Sequence, residues 1–287
     1  MGTLFVVATP IGNLEDITLR ALRVLRDVSL IAAEDTRTTR ALLTHHGIRT
    51  SLVSYNEHNM RARTPQLLAA LESGDIALVS EAGTPGVSDP GRELVVAALK
   101  AGFPVVSVPG PSAVVAALAA SGLPMREFTF LAFLPRRPGE RRRALTAVAG
   151  EPRTLVFFEA PHRLRRTLED IRATLGDRRI AVCREMTKTF EEIFRGTASQ
   201  ALDHFQEPRG EFTLVLEGAA EQTREVSDDA IIEALTGHAA RRLSARDAAA
   251  RVAAELGVPR RRVYALAVRL REPTPRSRRK APPPAGR

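Results

Sequence analysis

The fold can be predicted from one stretch of the sequence, Ile76-Ala-Leu-Val-Ser-Glu-Ala-Gly-Thr-Pro-Gly-Val-Ser-Asp-Pro-Gly91. Residues 76–80 form a short apolar run, which is typical of a buried strand. Residues 81–91 contain five glycines and prolines, which predict a loop. Residues 92–100 then carry the apolar spacing of a helix. A strand, a long loop and a helix in this order predict one unit of a parallel α/β sheet.

The same alternation of strand and helix extends through residues 1–122. Because units of this kind place helices on both faces of the sheet, we predict an α/β domain with a parallel sheet over these residues. The predicted strands are residues 4–8, 28–33, 51–54, 76–80 and 105–108, and the predicted helices between them are residues 17–25, 38–46, 63–73 and 92–100.

A second α/β domain is predicted over residues 123–220, with a hinge near residues 122–126. Some of its predicted strands are separated by only a few residues, so part of its sheet should be antiparallel and the sheet mixed. The predicted strands are residues 128–134, 154–159, 180–184, 192–195 and 212–217, and the predicted helices are residues 140–149, 161–175 and 197–205.

The C-terminal part of the chain is predicted to be helical and basic. Residues 225–271 form a small helical domain that resembles a helix-turn-helix, in which Gly257 ends one helix and Pro259 opens the next. Residues 272–287, rich in proline and arginine, are predicted to be a disordered basic tail. Residues 241–287 hold 14 arginines and lysines against 3 acidic residues, whereas residues 1–240 hold 28 against 30. This asymmetry favours a nucleic-acid contact over a merely solvated tail.

Composition and missing motifs exclude several classes of protein. Cys183 is the only cysteine, so no internal disulfide is possible, and the histidines show no spacing typical of a metal site. The longest uncharged run, residues 101–125, is interrupted by prolines and glycines, and the N-terminus lacks the features of a signal peptide. We therefore predict no membrane span and a cytoplasmic location. No dinucleotide-binding glycine fingerprint, P-loop or nucleophile elbow is present.

Glycine and proline are concentrated in the loops that follow the predicted strands. In open α/β sheets, ligands bind beyond the carboxyl ends of the strands. Glycine lets the backbone approach a ligand closely and proline fixes the loop, so these loops suit a flat, polar small molecule. Turn chemistry explains any one short loop, but it is a poor explanation for the eleven residues 81–91. The loops in question are residues 9–18, 33–37, 81–91 and 109–113.

Eight motifs in a fixed order resemble those of one known family. They are Thr9-Pro-Ile-Gly-Asn-Leu-Glu-Asp-Ile-Thr18, Ala33-Glu-Asp-Thr-Arg37, Ala82-Gly-Thr-Pro-Gly-Val-Ser-Asp-Pro-Gly91, Pro109-Gly-Pro-Ser-Ala113, Ser121-Gly-Leu-Pro124, Phe133-Leu-Pro135, Pro161-His-Arg163 and Arg184-Glu-Met-Thr-Lys188. With them, residues 3–220 resemble the ribosomal RNA small subunit methyltransferase I family, the ribose 2′-O-methylating branch of the tetrapyrrole methylase superfamily. The sequence departs from the family's usual Asp, Gly, Tyr and Ser at Glu81, Ala132, Phe158 and Ala160.

The resemblance implies a class III methyltransferase that binds S-adenosylmethionine (SAM) in a cleft between the two α/β domains and forms a homodimer. The residues supply no metal site, so no metal cofactor is expected. The implied acceptor is the 2′-hydroxyl of a decoding-centre cytidine, the C1402-type position of 16S ribosomal RNA, in the small ribosomal subunit. The residues implied to contact SAM are Pro10, Gly12, Ala82, Gly83, Thr84, Val87, Ser112, Ala113, Phe158 and Met186.

Deprotonation of a ribose hydroxyl needs a nearby base or cation. The candidates for this role are Asp35, Glu159, Glu185 and Lys188. The residues assigned to RNA phosphates are Arg37, His162 and Arg163 and, at the start of the second helix of the helix-turn-helix pattern, Arg260, Arg261 and Arg262. Each of them has an alternative interpretation as an ion pair that only shapes the cleft or as a solvated charge. Two other functions stay open, a tetrapyrrole-precursor methyltransferase and a non-enzymatic RNA-binding ribosome assembly factor.

Overall fold

The structure of the protein is a computed structural model that describes residues 1–220, 227–239 and 244–270. The chain folds into two compact units, Met1–Ala220 and Glu221–Arg287. The first unit contains two five-stranded sheets, and the described part of the second is helical. The predicted disordered tail, residues 272–287, lies outside the described residues. The predicted boundary at residue 122 falls inside the first unit and stays a prediction.

The first sheet is built from β1 (Leu4–Val7), β2 (Leu30–Ala33), β3 (Leu52–Ser54), β4 (Ile76–Val79) and β5 (Val105–Val108). The helices α1 (Leu19–Asp27), α2 (Thr36–His45), α3 (Met60–Ser73) and α4 (Arg92–Lys100) alternate with these strands, and a short 3-10 turn (Leu14–Asp16) precedes α1. All strand pairs are parallel, in the order β3-β2-β4-β1-β5. The carboxyl ends of the five strands therefore share one edge.

The first sheet is covered by helices on both faces, and successive side chains along each strand point to opposite faces. Ile76 of β4 packs in a core with α3 and α4, whereas the next residue, Ala77, packs in a core with α1 and α2. The strand is accordingly apolar at every position and not at every second one.

The second sheet is built from β6 (Phe128–Phe133), β7 (Thr154–Glu159), β8 (Arg179–Arg184), β9 (Glu192–Thr197) and β10 (Phe212–Leu216). The helices of this part are α5 (Ala113–Ser121), α6 (Pro138–Ala147), α7 (Pro161–Leu175) and α8 (Ala198–His204). The strand order is β6-β7-β10-β8-β9, with β6 and β7 parallel and the other pairs antiparallel. The predicted fold class, an α/β part with a parallel sheet followed by an α/β part with a mixed sheet, is confirmed.

Helix α5 connects the two sheets. It follows the loop after β5, and its Val114, Ala117 and Leu118 pack on β7, β8 and β10 of the second sheet. Helices α6, α7 and α8 cover the opposite face of that sheet. Because α5 starts at the carboxyl edge of the first sheet and lies on the second sheet, it brings this edge and the second sheet together.

Three helices begin earlier than the sequence predicts, and one of them, α6, begins at Pro138 and not at residue 140. Helix α2 begins at Thr36 and not at residue 38, because the Asp35 carboxylate accepts hydrogen bonds from the backbone N–H groups of residues 37 and 38. Helix α3 begins at Met60 and not at residue 63. There the side chain of Asn56 accepts hydrogen bonds from the N–H groups of residues 58 and 59, which forms a turn that runs directly into the helix.

The described part of the second unit contains α9 (Asp228–Ala239), α10 (Ala245–Leu256) and α11 (Arg260–Arg269). Their apolar faces form a core that includes Ile231, Val252 and Val263. The Ser244 hydroxyl caps α10 by accepting a hydrogen bond from the Asp247 N–H at 3.1 Å. Helix α10 then ends at a left-handed glycine at residue 257. The predicted helical C-terminal domain is therefore present.

Candidate active site

A cleft of about 590 Å³ lies at the carboxyl edge of the first sheet. Its lining comes from the loops after β1 and β4, from helix α2 and the start of α5, and from the end of β6 and the strands β7, β8 and β10 with their loops. Two backbone hydrogen bonds join the loop after β1 to the loop after β4. The N–H of Thr9 donates to the Gly83 carbonyl at 2.8 Å, and the N–H of Gly83 donates to the Thr9 carbonyl at 3.1 Å. Gly83 holds a φ of +78°, which favours glycine.

The residues that the resemblance assigns to SAM come together in this cleft. They are far apart in the chain, and the folding of the two sheets places them on one continuous surface. Those that line the cleft are Pro10, Gly12, Ala82, Gly83, Thr84, Val87, Ser112, Ala113, Phe158 and Met186.

Lys188 lies in the cleft at the centre of a charged cluster. Its Nζ is 3.0 Å from Oε1 of Glu185 and 2.9 Å from Oε2 of Glu211. Burial alone would lower the pKa of Lys188, but the hydrogen bonds with Glu211 and Glu185 together raise it. Lys188 is therefore a cation at neutral pH. Glu211 also lines the cleft, whereas Glu185 is not among the residues that line it.

Glu185 is held by the backbone as well as by the lysine. Its Oε1 accepts a hydrogen bond from the N–H of Glu211 at 2.8 Å, and this bond is the main cause of a lowered pKa of Glu185. Gly210 packs so closely against the Glu185 side chain that a Cβ at residue 210 would collide with it. Glu185 therefore orients Lys188 and is a poor proton acceptor.

The connection between β8 and β9 closes one side of the cleft by contacting the loop after β1. The N–H of Asn13 donates to the Thr187 hydroxyl at 3.1 Å. A Cβ on Gly12 would lie 2.5 Å from Cγ of Lys188. The absence of a side chain at residue 12 thus permits the close approach of Lys188.

Asp35 and Arg37 lie outside the residues that line the cleft. Nη2 of Arg37 is 2.9 Å from Oδ2 of Asp35, and the Arg37 side chain is 90% exposed. The hydrogen bonds with the side chain and the backbone of Arg37 lower the pKa of Asp35 to about 2. The carboxylate therefore caps α2 and does not accept protons near neutral pH.

Glu159 and Arg163 form a buried pair at the start of α7. Glu159 lines the cleft, but its Oε1 accepts a hydrogen bond from the Ala160 N–H at 2.9 Å and lies 3.1 Å from Nε of Arg163. Its Oε2 accepts a hydrogen bond from the Thr167 hydroxyl at 2.5 Å. Nη2 of Arg163 donates to the Leu134 carbonyl at 2.6 Å. This pair fastens α7 to the end of β6, while His162, in the first turn of α7, is exposed.

Asp89 is a cleft residue that the sequence analysis did not single out. The loop after β4 folds back through positive φ values at Gly86, Ser88 and Gly91, so that Asp89 lies in the cleft near Ser80. Burial first, and then the negative charge of Glu34, raise the pKa of Asp89 to about 7. The only feature of the sequence that could have indicated a role for Asp89 is its position as an acidic residue within a long strand-end loop. The proximity of a carboxylate from the end of β2 depends on the tertiary structure.

The three arginines at the start of α11 have different surroundings. Arg260 and Arg261 are exposed in the first turn. Nε and Nη2 of Arg262 instead donate to Oδ1 of Asp228 at 3.0 and 2.7 Å, which ties α11 to α9. Arg262 therefore contributes to the helical fold, although its side chain, like those of Arg260 and Arg261, is exposed.

Metal clusters and membrane-spanning helices are both absent from the described parts of the chain, residues 1–220, 227–239 and 244–270. No group of three or more His, Cys, Asp or Glu residues there is arranged to hold a metal ion. None of the helices there is both long and apolar enough to cross a membrane.

Comparison with known proteins identifies the family. Residues 3–202 match the family model of the Tetrapyrrole (Corrin/Porphyrin) Methylases. The chain belongs to this family. Residues 225–271 match the RsmI C-terminal HTH domain. The resemblance stated from the eight motifs is thereby confirmed.

Relatives of this methylase are similar along almost its whole length. The Ribosomal RNA small subunit methyltransferase I of Halalkalibacterium halodurans is 47% identical over 270 residues, which cover 92% of this chain and 93% of the relative. The protein of the same name from Bacillus subtilis is 43% identical over 273 residues, with 92% and 93% covered. The chain is therefore similar to a branch of the family whose members are named for ribosomal RNA.

Solved structures share the fold at low sequence identity. The uroporphyrin-III C-methyl transferase from Thermus thermophilus, complexed with S-adenyl homocysteine, superposes with a TM-score of 0.55 at 23% identity, covering 76% of this chain and 97% of that one. The methyltransferase CobJ superposes with a TM-score of 0.59 at 21% identity, covering 77% and 95%. These matches agree with the two-sheet architecture of residues 1–220.

Proposed function

We propose that this methylase transfers a methyl group from SAM to the ribose 2′-hydroxyl of a decoding-centre cytidine, the C1402-type position, in 16S ribosomal RNA. The observation that carries the proposal is the convergence of all ten predicted SAM contacts on one cleft. The relatives named for ribosomal RNA, 43–50% identical in sequence, support the acceptor class. The proposed protein is a cytoplasmic homodimer that needs no metal.

The chemistry of the cleft fits SAM. Its volume lies in the range of small-molecule sites, which is about 300–1,000 Å³. The charged residues among its described lining are four carboxylates, on Glu81, Asp89, Glu159 and Glu211, and one ammonium, on Lys188. Since Glu159 is paired with Arg163 and Glu211 with Lys188, the cleft keeps an excess of negative charge from Glu81 and the partly ionised Asp89. This excess suits SAM, whose sulfonium and ammonium groups outnumber its one carboxylate. It is unfavourable for the many carboxylates of a tetrapyrrole precursor, which argues against that alternative.

The residues of the chain would act mainly by positioning. When bound, SAM supplies a methyl group already activated by its sulfonium. The strand-end loops hold the donor through exposed backbone groups around Gly83, so that the acceptor oxygen can approach in line. Lys188, fixed by Glu185 and Glu211, provides a cation that stabilises negative charge as it develops on the acceptor oxygen. The bond from the sulfonium to the methyl group breaks as the new bond from oxygen to the methyl group forms, and the hydroxyl proton passes to solvent.

The RNA would be held in part by the helical C-terminal unit. Arg260 and Arg261 lie exposed at the N-terminus of α11, where the helix dipole adds to their positive charge. Contacts of this type bind phosphate and carry no base specificity. Selection of one nucleotide is therefore assigned to the cleft.

The test combines binding with mapping of the modified nucleotide. Calorimetry of the purified protein with SAM should give saturable binding that EDTA does not change, and a protein without SAM binding would instead fit an RNA-binding assembly factor. Ribosomal RNA from a strain that lacks the gene should have lost one ribose methylation in the small subunit. Purified protein and SAM should restore that methylation. An unchanged methylation map would refute the proposed acceptor.

A further inference from the structure

The end of strand β6 beside the cleft is irregular. The pairing of β6 with β7 shifts register between Phe130 and Phe133, which marks a β-bulge. Ala132, inside the bulge, has a φ of +53°, in the left-handed region that non-glycine residues rarely adopt. Backbone strain of this kind persists only where the surrounding structure enforces it, and it is concentrated at functional sites.

The bulge changes the direction of one aromatic side chain. In a regular strand, residues 130 and 133 would point to opposite faces of the sheet. Here both rings contact Phe158, with ring centroids 5.1 Å away for Phe130 and 5.5 Å away for Phe133. Leu131 packs against the core on the other face. The strained bulge therefore adds Phe133 to the cleft side of the sheet.

The ring of Phe133 is left half open to solvent. It lines the cleft and is 51% exposed, whereas Phe158 behind it is only partly accessible. An apolar ring held in this position by strain, in a cleft rich in carboxylates, offers one flat surface to a ligand. Flat heteroaromatic bases stack on such surfaces, and RNA-binding proteins use aromatic side chains in this way for bases that leave the helical stack.

We propose that Phe133 is the platform on which the base of the acceptor nucleotide stacks while its ribose enters the cleft. The proposal rests on the proposed function. The acceptor base is favoured over the adenine of the donor because Phe133 is the exposed outer member of the aromatic group. Phe158, its inner neighbour, belongs to the set assigned to SAM. The two bases share the same stacking chemistry, so the experiment must distinguish them.

A tryptophan probe makes this distinction directly, because the chain contains no tryptophan. Phe133→Trp introduces a single tryptophan, whose fluorescence is excited at a wavelength that the two tyrosines do not absorb and is quenched when a base stacks on it. The ligand is a synthetic hairpin of the decoding-centre sequence, added at concentrations that anisotropy of a labelled copy shows to be saturating. We expect quenching by the hairpin and little change with SAM alone. Quenching by SAM alone, or none with the saturating hairpin, would overturn the proposal.

Phe128 provides a matched control. It lies at the opposite end of the same strand, is 40% exposed and does not line the cleft. Phe128→Trp should show no quenching by the hairpin. Equal quenching of both variants would show that the signal does not arise from stacking at residue 133.

Kinetics with unmethylated small ribosomal subunits supply a second readout. Phe133→Ala should lower kcat/KM for the subunits by about 10- to 100-fold, the loss expected for one stacked base. Phe133→Tyr should restore most of it, and Phe128→Ala should leave it unchanged. The Kd for SAM should be the same in all variants, which separates this test from that of the proposed function. Unchanged kcat/KM in the alanine variant would refute the role of Phe133.

Discussion

Replacing Asp89 with asparagine should stabilise the protein above neutral pH. Asp89 lies in the cleft, half-buried, close to the carboxylates of Glu34 and Glu81 and to the hydroxyl of Ser80. Asparagine has nearly the same shape and retains a hydrogen-bonding partner for Ser80, but it removes the charge. The change therefore isolates the electrostatic cost of an ionised carboxyl at this position.

The sign and size of the effect follow from the pKa. Burial raises the pKa of Asp89 to about 7, whereas an aspartate in an unfolded chain titrates near about 3.9. Between these values the folded state binds more protons than the unfolded state, so the free energy of unfolding falls as the pH rises, and the loss is complete above about pH 7. A fully buried group would lose about 4 kcal/mol, at about 1.4 kcal/mol per pH unit. Since solvent reaches Asp89, we expect about 1–2 kcal/mol.

Urea unfolding at pH 5 and pH 8 measures this difference. Asp89→Asn should be more stable than the parent at pH 8 by about 1–2 kcal/mol, and the gap should shrink towards pH 5. Glu72→Gln, which neutralises an exposed carboxylate on α3, should show no such gap. An asparagine variant whose stability follows the parent at both pH values would refute the reasoning.

Four further predictions concern the cleft and the helical unit. Gly83→Val places a branched side chain at a φ of +78°, which costs about 1–2 kcal/mol. Calorimetry should detect no SAM binding by this variant, while its circular dichroism spectrum should stay close to that of the parent protein. Lys188→Ala should keep the Kd for SAM and lower kcat by about 100-fold, whereas near-parent turnover would return the residue to a structural role. Cys183 is buried, and burial raises the pKa of its thiol to about 11. A colorimetric thiol reagent at pH 8 should therefore react only after denaturation. A rapid stoichiometric reaction of the native protein would contradict this prediction. Replacing both Arg260 and Arg261 with alanine should weaken RNA binding and reduce the slope of log K against log salt concentration by about 2. The control is the same replacement of two exposed arginines on α1. An unaltered slope in the Arg260 and Arg261 variant would exclude a phosphate contact at these residues.

Much of the fold is predictable from the sequence because local patterns carry it. Local pattern alone predicts a buried strand at residues 76–80, which form a short apolar run, and a loop at residues 81–91, which are rich in glycine and proline. Even the early start of α2 has a local cause, since Asp35 caps the helix with its own side chain. Eight of the ten SAM contacts that the resemblance implies follow strands of the first sheet, whose carboxyl ends share an edge, whereas Phe158 and Met186 belong to the second sheet.

The roles of the charged residues depend on partners that are distant in the chain. Lys188 forms an ion pair with Glu211, which keeps its amino group charged. Arg163, which the sequence assigns to RNA, donates a hydrogen bond to the carbonyl of Leu134. The hydrogen bond that joins Lys188 to Glu211 spans 23 residues and that of Arg163 spans 29. A sequence pattern shows that a charge is present, but it does not show which charge neutralises it.

The sequence by itself determined the family, the order of strands and helices and the loops that form the cleft. Only the tertiary structure decided that Asp89 approaches the carboxylate of Glu34, and that a bulge at Ala132 turns Phe133 towards the cleft. The physical reason is the range of the interactions. Helices, strands and turns are selected by neighbouring residues, whereas the pKa of a carboxyl and the direction of an exposed ring depend on groups that meet only after the two sheets have packed.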